Sequence, residues 1–164
     1  MHGTRRPSTR LCSQDLMRIT SESPEPSTSA EVRRWLLEDA PNAIVATVGR
    51  DGVPQLTPNW FLWDGEVFWV ATMGSTVKVH NLRRDTRVAL CIDRVEPPEA
   101  YLQVSGRAEI IETDVREQTL PLIAKYVSPA AAVEKHWEKL EGDRILLRVV
   151  PDRWHWFDVI AEPA

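Results

Sequence analysis

Cysteine is scarce in this chain: Cys12 and Cys91 are the two among 164 residues, one in a polar N-terminal stretch and one in an apolar run. A pair so placed cannot build a disulfide framework, and such usage favours a reducing compartment, so the expected location is cytoplasmic. Basic excess is also missing. The formal net charge of −4 at pH 7 supplies none of the general positive field that non-specific duplex binding needs, so nucleic acid is not an expected partner. No apolar run approaches the roughly 18 residues of a membrane-crossing helix, and the polar residues after Arg5 and Arg6 offer no signal-peptide core; no membrane partner is expected. Gly-x-Ser-x-Gly, Walker-type and Gly-x-Gly-x-x-Gly motifs are absent, which removes the usual support for hydrolase, P-loop and dinucleotide-binding readings. His2, His80, His136 and His155 share no metal-ligand spacing, so no metal site is expected.

What is present is one domain's worth of apolar sequence, with 43% hydrophobic and 27% charged positions. Residues 1–29 are dominated by Ser, Thr, Pro, Arg and Glu, a composition that buries too little apolar area to offset chain entropy. This segment is expected to be a disordered leader, with Met17 an alternative start, and residues 30–164 the folded domain. Thr28-x-x-Glu31 has the form of a capping box and Val32, Trp35 and Leu36 recur at helical spacing, so a helix is expected up to Pro41.

Strand wording follows. The branched run at 43–48 and the turn residues Gly49-Arg50-Asp51-Gly52 predict a hairpin with a second strand over 53–62. Asp64-Gly65 predicts a further turn before a third strand at 66–72. A short helix is expected over 76–84, with Val77, His80 and Asn81 on one side and Arg83-Arg84 at its basic end. Strands at 87–93 and 101–112, separated by Glu96-Pro97-Pro98-Glu99, precede a helical pair. There Asp114-x-x-Glu117 is a candidate cap and Pro129 suits a first turn. Two strands, 144–150 and 153–159, close the chain. Strands clustered by hairpins without βαβ alternation point to a mainly antiparallel barrel decorated with helices.

One segment carries chemistry: Thr72-Met73-Gly74-Ser75-Thr76-Val77-Lys78 is a strand end, a small-residue turn with hydroxyls, and a helix start bearing a lysine. Free backbone N–H groups, the Ser75 and Thr76 hydroxyls and the Lys78 ammonium can converge on one phosphate there. The same wording also fits a solvated loop with a surface lysine, and on residues alone both readings stand. Trp60, Trp63 and Trp69 surround the second turn; Trp63 and Trp69 read as core or interface and Trp60 equally as ligand wall. Cys91 reads as a buried small residue rather than a nucleophile.

Taken in order, Ala46-Thr47-Val48-Gly49-Arg50-Asp51-Gly52-Val53-Pro54-Gln55, then Pro58-Asn59-Trp60-Phe61, then Gly74-Ser75-x-x-Lys78-x-x-Asn81-Leu82-Arg83-Arg84-Asp85-x-Arg87-Val88, then Val104-x-Gly106-x-Ala108-Glu109 resemble the pyridoxamine-phosphate-oxidase-like split-barrel superfamily. Within it, the Asn-Leu-Arg-Arg-Asp wording is similar to the branch that uses the deazaflavin F420. The resemblance implies a mainly β fold, a split β-barrel of about six antiparallel strands, Greek-key-like and homodimeric, with a flavin or deazaflavin in a cleft at the dimer interface. It implies that Ser75, Thr76 and Lys78 bind the cofactor phosphate. Thr57, Pro58, Asn59 and Trp60 would follow the ring and ribityl chain, Thr72 the ring's polar edge, and Asn81 and Gln103 would complete the set. It implies F420, alternatively FMN, as cofactor and hydride transfer to or from a small organic substrate. A non-catalytic flavin- or haem-binding carrier of the same fold is the other reading. Arg83 and Arg84 would meet the acidic tail of F420, or with Arg87 form only a solvated, salt-bridged face. The chain departs from the oxidases proper at Thr57, where they have arginine, and at Leu62, where they have lysine. Arg153-Trp154-His155 stands one predicted strand earlier than their terminal Arg-x-His, which disfavours pyridoxamine phosphate oxidation itself.

Overall fold

The computed structural model describes residues 27–140 and 142–160; the expectation of a disordered leader falls mostly outside them, and Ser27 and Thr28 lead into the first helix. Helix α1 (Ser29–Glu38) is closed by the expected capping box, Glu31 N–H donating to Thr28 Oγ1 while the Glu31 carboxylate accepts from the Thr28 N–H. It buries Val32 and Leu36. The strands are β1 (Ala43–Val48), β2 (Pro54–Asn59), β3 (Leu62–Trp63), β4 (Phe68–Met73), β5 (Arg87–Arg94), β6 (Ala100–Ile111) and β7 (Arg144–Asp158), with helices α2 (Val77–Arg84), α3 (Arg116–Tyr126) and α4 (Ala130–Leu140) between them. They form one antiparallel sheet in the order β2-β1-β5-β6-β7-β4-β3. The sheet curls until β2, at one edge, approaches β4 near the other, giving the split barrel.

Strict alternation builds the interior. Ala43, Val45 and Thr47 of β1, Val88, Leu90 and Ile92 of β5, and Leu102 and Val104 of β6 point inward and are buried, joined by Phe68 and Val70 of β4. Val79 and Leu82 of α2 and the apolar face of α1 join the same cluster. In β7 the consecutive residues Ile145, Leu146 and Leu147 are all buried, because this stretch is covered on both faces: Leu147 joins the barrel core and Leu146 a second cluster with Ile123, Val133 and Trp137 of α3 and α4.

Four expectations need correction. The second strand is broken in two, because the Tyr126 hydroxyl takes both backbone groups of Phe61 and removes that residue from any ladder. With β3 counted separately the sheet has seven strands. The last two expected strands are one, β7, bulged where Ser105 pairs with Arg153 and Gly106 with Pro151, so that Asp152 is the extra residue. A Cβ at Gly106 would collide with the Val150 carbonyl oxygen, which explains glycine at the crossing. Asp114 does not cap α3: it takes a left-handed turn (φ 54°), and Val115 holds the N-cap position without a side-chain bond. Helix α2 turns Lys78, Val79, Asn81 and Leu82 inward and leaves Val77 and His80 exposed, rotated from the expected face.

Candidate functional site

At the end of β4 the chain makes a small-residue turn into α2, and the inward rotation of α2 carries Lys78 with it. Lys78 is 5% exposed, and its Nζ donates to Thr72 Oγ1 at 3.3 Å. Burial pushes the Lys78 ammonium below its ordinary pKa. Thr72 is buried on the inner face of β4, and its hydroxyl lies 3.4 Å from that of Thr76, which also donates to the Met73 carbonyl at 2.9 Å. Thr72, Thr76 and Lys78 therefore form one polar group, and a buried ammonium whose partner is a neutral hydroxyl is an incompletely compensated cation.

A residue that local sequence reasoning missed shapes the same turn. The Asp143 carboxylate accepts from the Ser75 N–H at 2.8 Å, and the Asp143 carbonyl accepts from the Gly74 N–H at 2.8 Å. With the Thr76 N–H donating to the Met73 carbonyl at 3.1 Å, three N–H groups of the turn expected to meet a phosphate are already taken, while the Ser75 side chain stays exposed. Asp143 follows Gly142 and in sequence reads as turn chemistry; only the β4–β7 pairing, with Met73 opposite Arg144, brings it here.

The remaining expected residues divide between the two sheet faces. Thr57 and Asn59 pair with the inward residues Val45 and Ala43 and are joined by a 3.1 Å hydroxyl-to-carbonyl bond, on the side where β2 nears β4. Trp60 lies beyond β2, stacked on Tyr126 of α3 with ring centroids 4.6 Å apart and planes 5° off parallel, and on His136 of α4 at 5.3 Å. Trp63 packs against Phe68 and Trp154, and Trp69 donates to Asp64 at 2.6 Å. Asn81 is buried and spoken for, donating to Thr47 Oγ1 at 3.1 Å and accepting from Arg84. Pro58 and Gln103 lie on the outward face of the sheet, Pro58 opposite Ile44 and Gln103 opposite Cys91. Cys91 also faces outward rather than into the core; burial first, then Asp93, raises its thiol pKa, so it is not an activated thiolate. Of the arginines considered for an acidic tail, Arg83 pairs with Glu112, Arg84 donates to the Val48 carbonyl, and Arg87 grips Asp85. Among the described residues no group of His, Cys, Asp and Glu could hold a metal ion, and no helix is long and apolar enough to cross a membrane.

The family described as Pyridoxamine 5'-phosphate oxidase matches residues 28–157, nearly the whole described fold. The chain belongs to this family. Among solved structures of the same fold, one is named F420 Reductase: it is 29% identical, with 73% of this chain and 93% of that one covered and a TM-score of 0.59. A conserved hypothetical protein from Mycobacterium tuberculosis is 26% identical over 80% of this chain and 84% of that one, with a TM-score of 0.67. HutZ, the haem storage protein from Vibrio cholerae, shares the fold at 17% identity, covering 81% and 95% of the two chains with a TM-score of 0.63. No match is found among curated protein sequences. Flavin-type cofactors suit this family, and the residues present at the turn from β4 into α2 fit the phosphate of one, because the buried Lys78 ammonium has a neutral hydroxyl as its hydrogen-bond partner.

Proposed function

We propose that this member of the pyridoxamine-phosphate-oxidase family is a cytoplasmic, homodimeric oxidoreductase that binds F420, in preference to FMN, and moves hydride to or from a small organic substrate. The carrying observation is the Lys78 ammonium, almost wholly buried with Thr72 as its hydrogen-bond partner. A cofactor phosphate there would gain a charge-assisted bond from Lys78, a hydroxyl bond from Ser75 and, once the Thr76 hydroxyl turns away from the Met73 carbonyl, one from Thr76. Thr57, Asn59 and Trp60 would then border the ring and ribityl chain. When bound, the cofactor supplies the hydride chemistry. The chain's own residues bind, orient and exclude water, which suits a site without a strongly placed acid or base. The preference for F420 draws support from the 29% identical reductase and from Thr57 standing where the oxidases have an arginine for the FMN phosphate.

The homodimer is proposed through the outward sheet face, where Ile44, Ala46, Leu56, Ala89 and Cys91 line one shallow depression and Leu56 is 60% exposed. Oxidation of F420H2 with a panel of conjugated and heteroaromatic acceptors, followed by absorbance, tests the enzyme reading. Multiple turnovers are expected. Tight binding of cofactor without turnover of any acceptor would replace the enzyme by a carrier.

A further inference from the structure

The outward face has a second region whose chemistry the cofactor reading leaves unused. Adjoining the apolar depression, with which it shares Ala46, Ala89 and Ser105, a cleft of about 430 Å³ is lined by Arg87 of β5, Arg107 of β6, and Asp152 and Arg153 of β7. Arg87 and Arg107 are direct cross-strand partners and both are exposed. Like charges set opposite one another weaken a sheet, and protein groups relieve this pair only in part. Arg87 is held by Asp85, with Nη2 and Oδ2 2.6 Å apart, but Arg107 reaches only the neutral Thr86 hydroxyl, at 3.2 Å.

The third arginine is placed by the bulge. With Asp152 as the extra residue of β7, Arg153 comes opposite Ser105 on the face that carries Arg107; re-aiming of a side chain is a recurrent use of such bulges. The Arg153 side chain makes no hydrogen bond or ion pair among the described residues and is exposed. Three guanidinium groups against the carboxylates of Asp85 and Asp152 leave a net positive cleft. Its floor is small side chains, so a ligand can enter, and its forked donors suit carboxylate or phosphate oxygens.

We propose that this cleft is a binding site for a small multivalent anion bearing phosphate or carboxylate groups, separate from the turn at Lys78. The test is calorimetric titration of the full chain at low ionic strength, with inorganic pyrophosphate in one arm and citrate in the other to distinguish phosphate from carboxylate sources. Saturable binding of at least one anion is expected, weakened at least about tenfold in both Arg107→Gln and Arg153→Gln, since a hydrogen bond to a charged group is worth about that factor or more. Both arginines are exposed, and thermal melting checks the fold: the bound anion should raise the melting temperature of the parent protein and not of either variant. Absence of saturation in the parent, including because a second copy's carboxylate already fills the cleft, overturns the proposal. So does a loss confined to Lys78→Ala, or binding by Arg153→Gln equal to the parent's.

Discussion

Lys78 and Lys125 are both lysines drawn out of water, and their partners set them apart. Lys78 donates to the Thr72 hydroxyl. The Lys125 nitrogen is buried without a hydrogen-bond acceptor, 3.6 Å from the centre of the Phe61 ring. Burial, opposed by Asp39 and Glu38, brings its pKa down to about 8 from the ordinary 10.5. The sign of the linkage follows: below pH 8 both folded and unfolded states carry the charge and the folded state bears the full burial cost, which is relieved as pH rises from about 8 to about 10.5. Lys125→Met should therefore stabilise the protein at pH 7 by roughly 1 kcal/mol, after allowing for water's partial access to the side chain and the lost ring contact. Urea unfolding at pH 7 and pH 10.5 checks this, with the gain shrinking at the higher pH. Asp143 offers a charge test of the turn it stabilises. Asp143→Asn keeps an acceptor for the Ser75 N–H while removing a negative charge beside the proposed phosphate, so F420 affinity should rise by roughly two- to fivefold, read by fluorescence titration; an unchanged or weakened affinity would place the phosphate away from Ser75.

Among elements, the segment between β2 and β3 and the end of α3 depend on one side chain. The Tyr126 hydroxyl donates to the Phe61 carbonyl and accepts from the Phe61 N–H, both at 3.0 Å, and its ring lies flat on Trp60. Burial, slightly offset by the bond from Phe61, pushes its phenol up to about 12, so it stays neutral across the working range. Tyr126→Phe retains the stack and strips both backbone partners; a loss of about 1 to 3 kcal/mol in unfolding free energy is expected, measured by urea denaturation. The sequence could not show this clamp, because its two ends are 65 residues apart. What it did show is local: the capping box of α1, the Gly49–Gly52 turn and the alternation of β1, β5 and β6 are written in short-range patterns. The break at Trp60-Phe61, the bulge that joins two expected strands into β7 and the rotation of α2 depend on cross-chain pairing, and hydrophobic periodicity carries no mark of them. The polar group at Lys78 was legible as a list of residue types. Its burial and the competing Asp143 carboxylate were not.

For the whole molecule, one curled sheet presents two chemically different faces. Its inside is sealed by α1 and α2 around the core, while α3 and α4 cover the outer side of β4 and part of β7. Among the described residues, nothing of the same chain covers most of the rest of the outward face. If a second copy covers the apolar part, Leu56→Glu buries a charge at the seam and should raise the dimer dissociation constant at least about tenfold; sedimentation of parent and variant reads it, and a monomeric parent would remove the dimer from the account. The central claim is narrower. It is that a phosphorylated deazaflavin sits where the buried ammonium of Lys78 awaits an anion. Parallel titration of F420 into the parent protein and Lys78→Ala tests it most directly. The account predicts binding in the parent, weaker by about ten- to a hundredfold in the variant with an unchanged melting profile; equal affinities in the two proteins would contradict it.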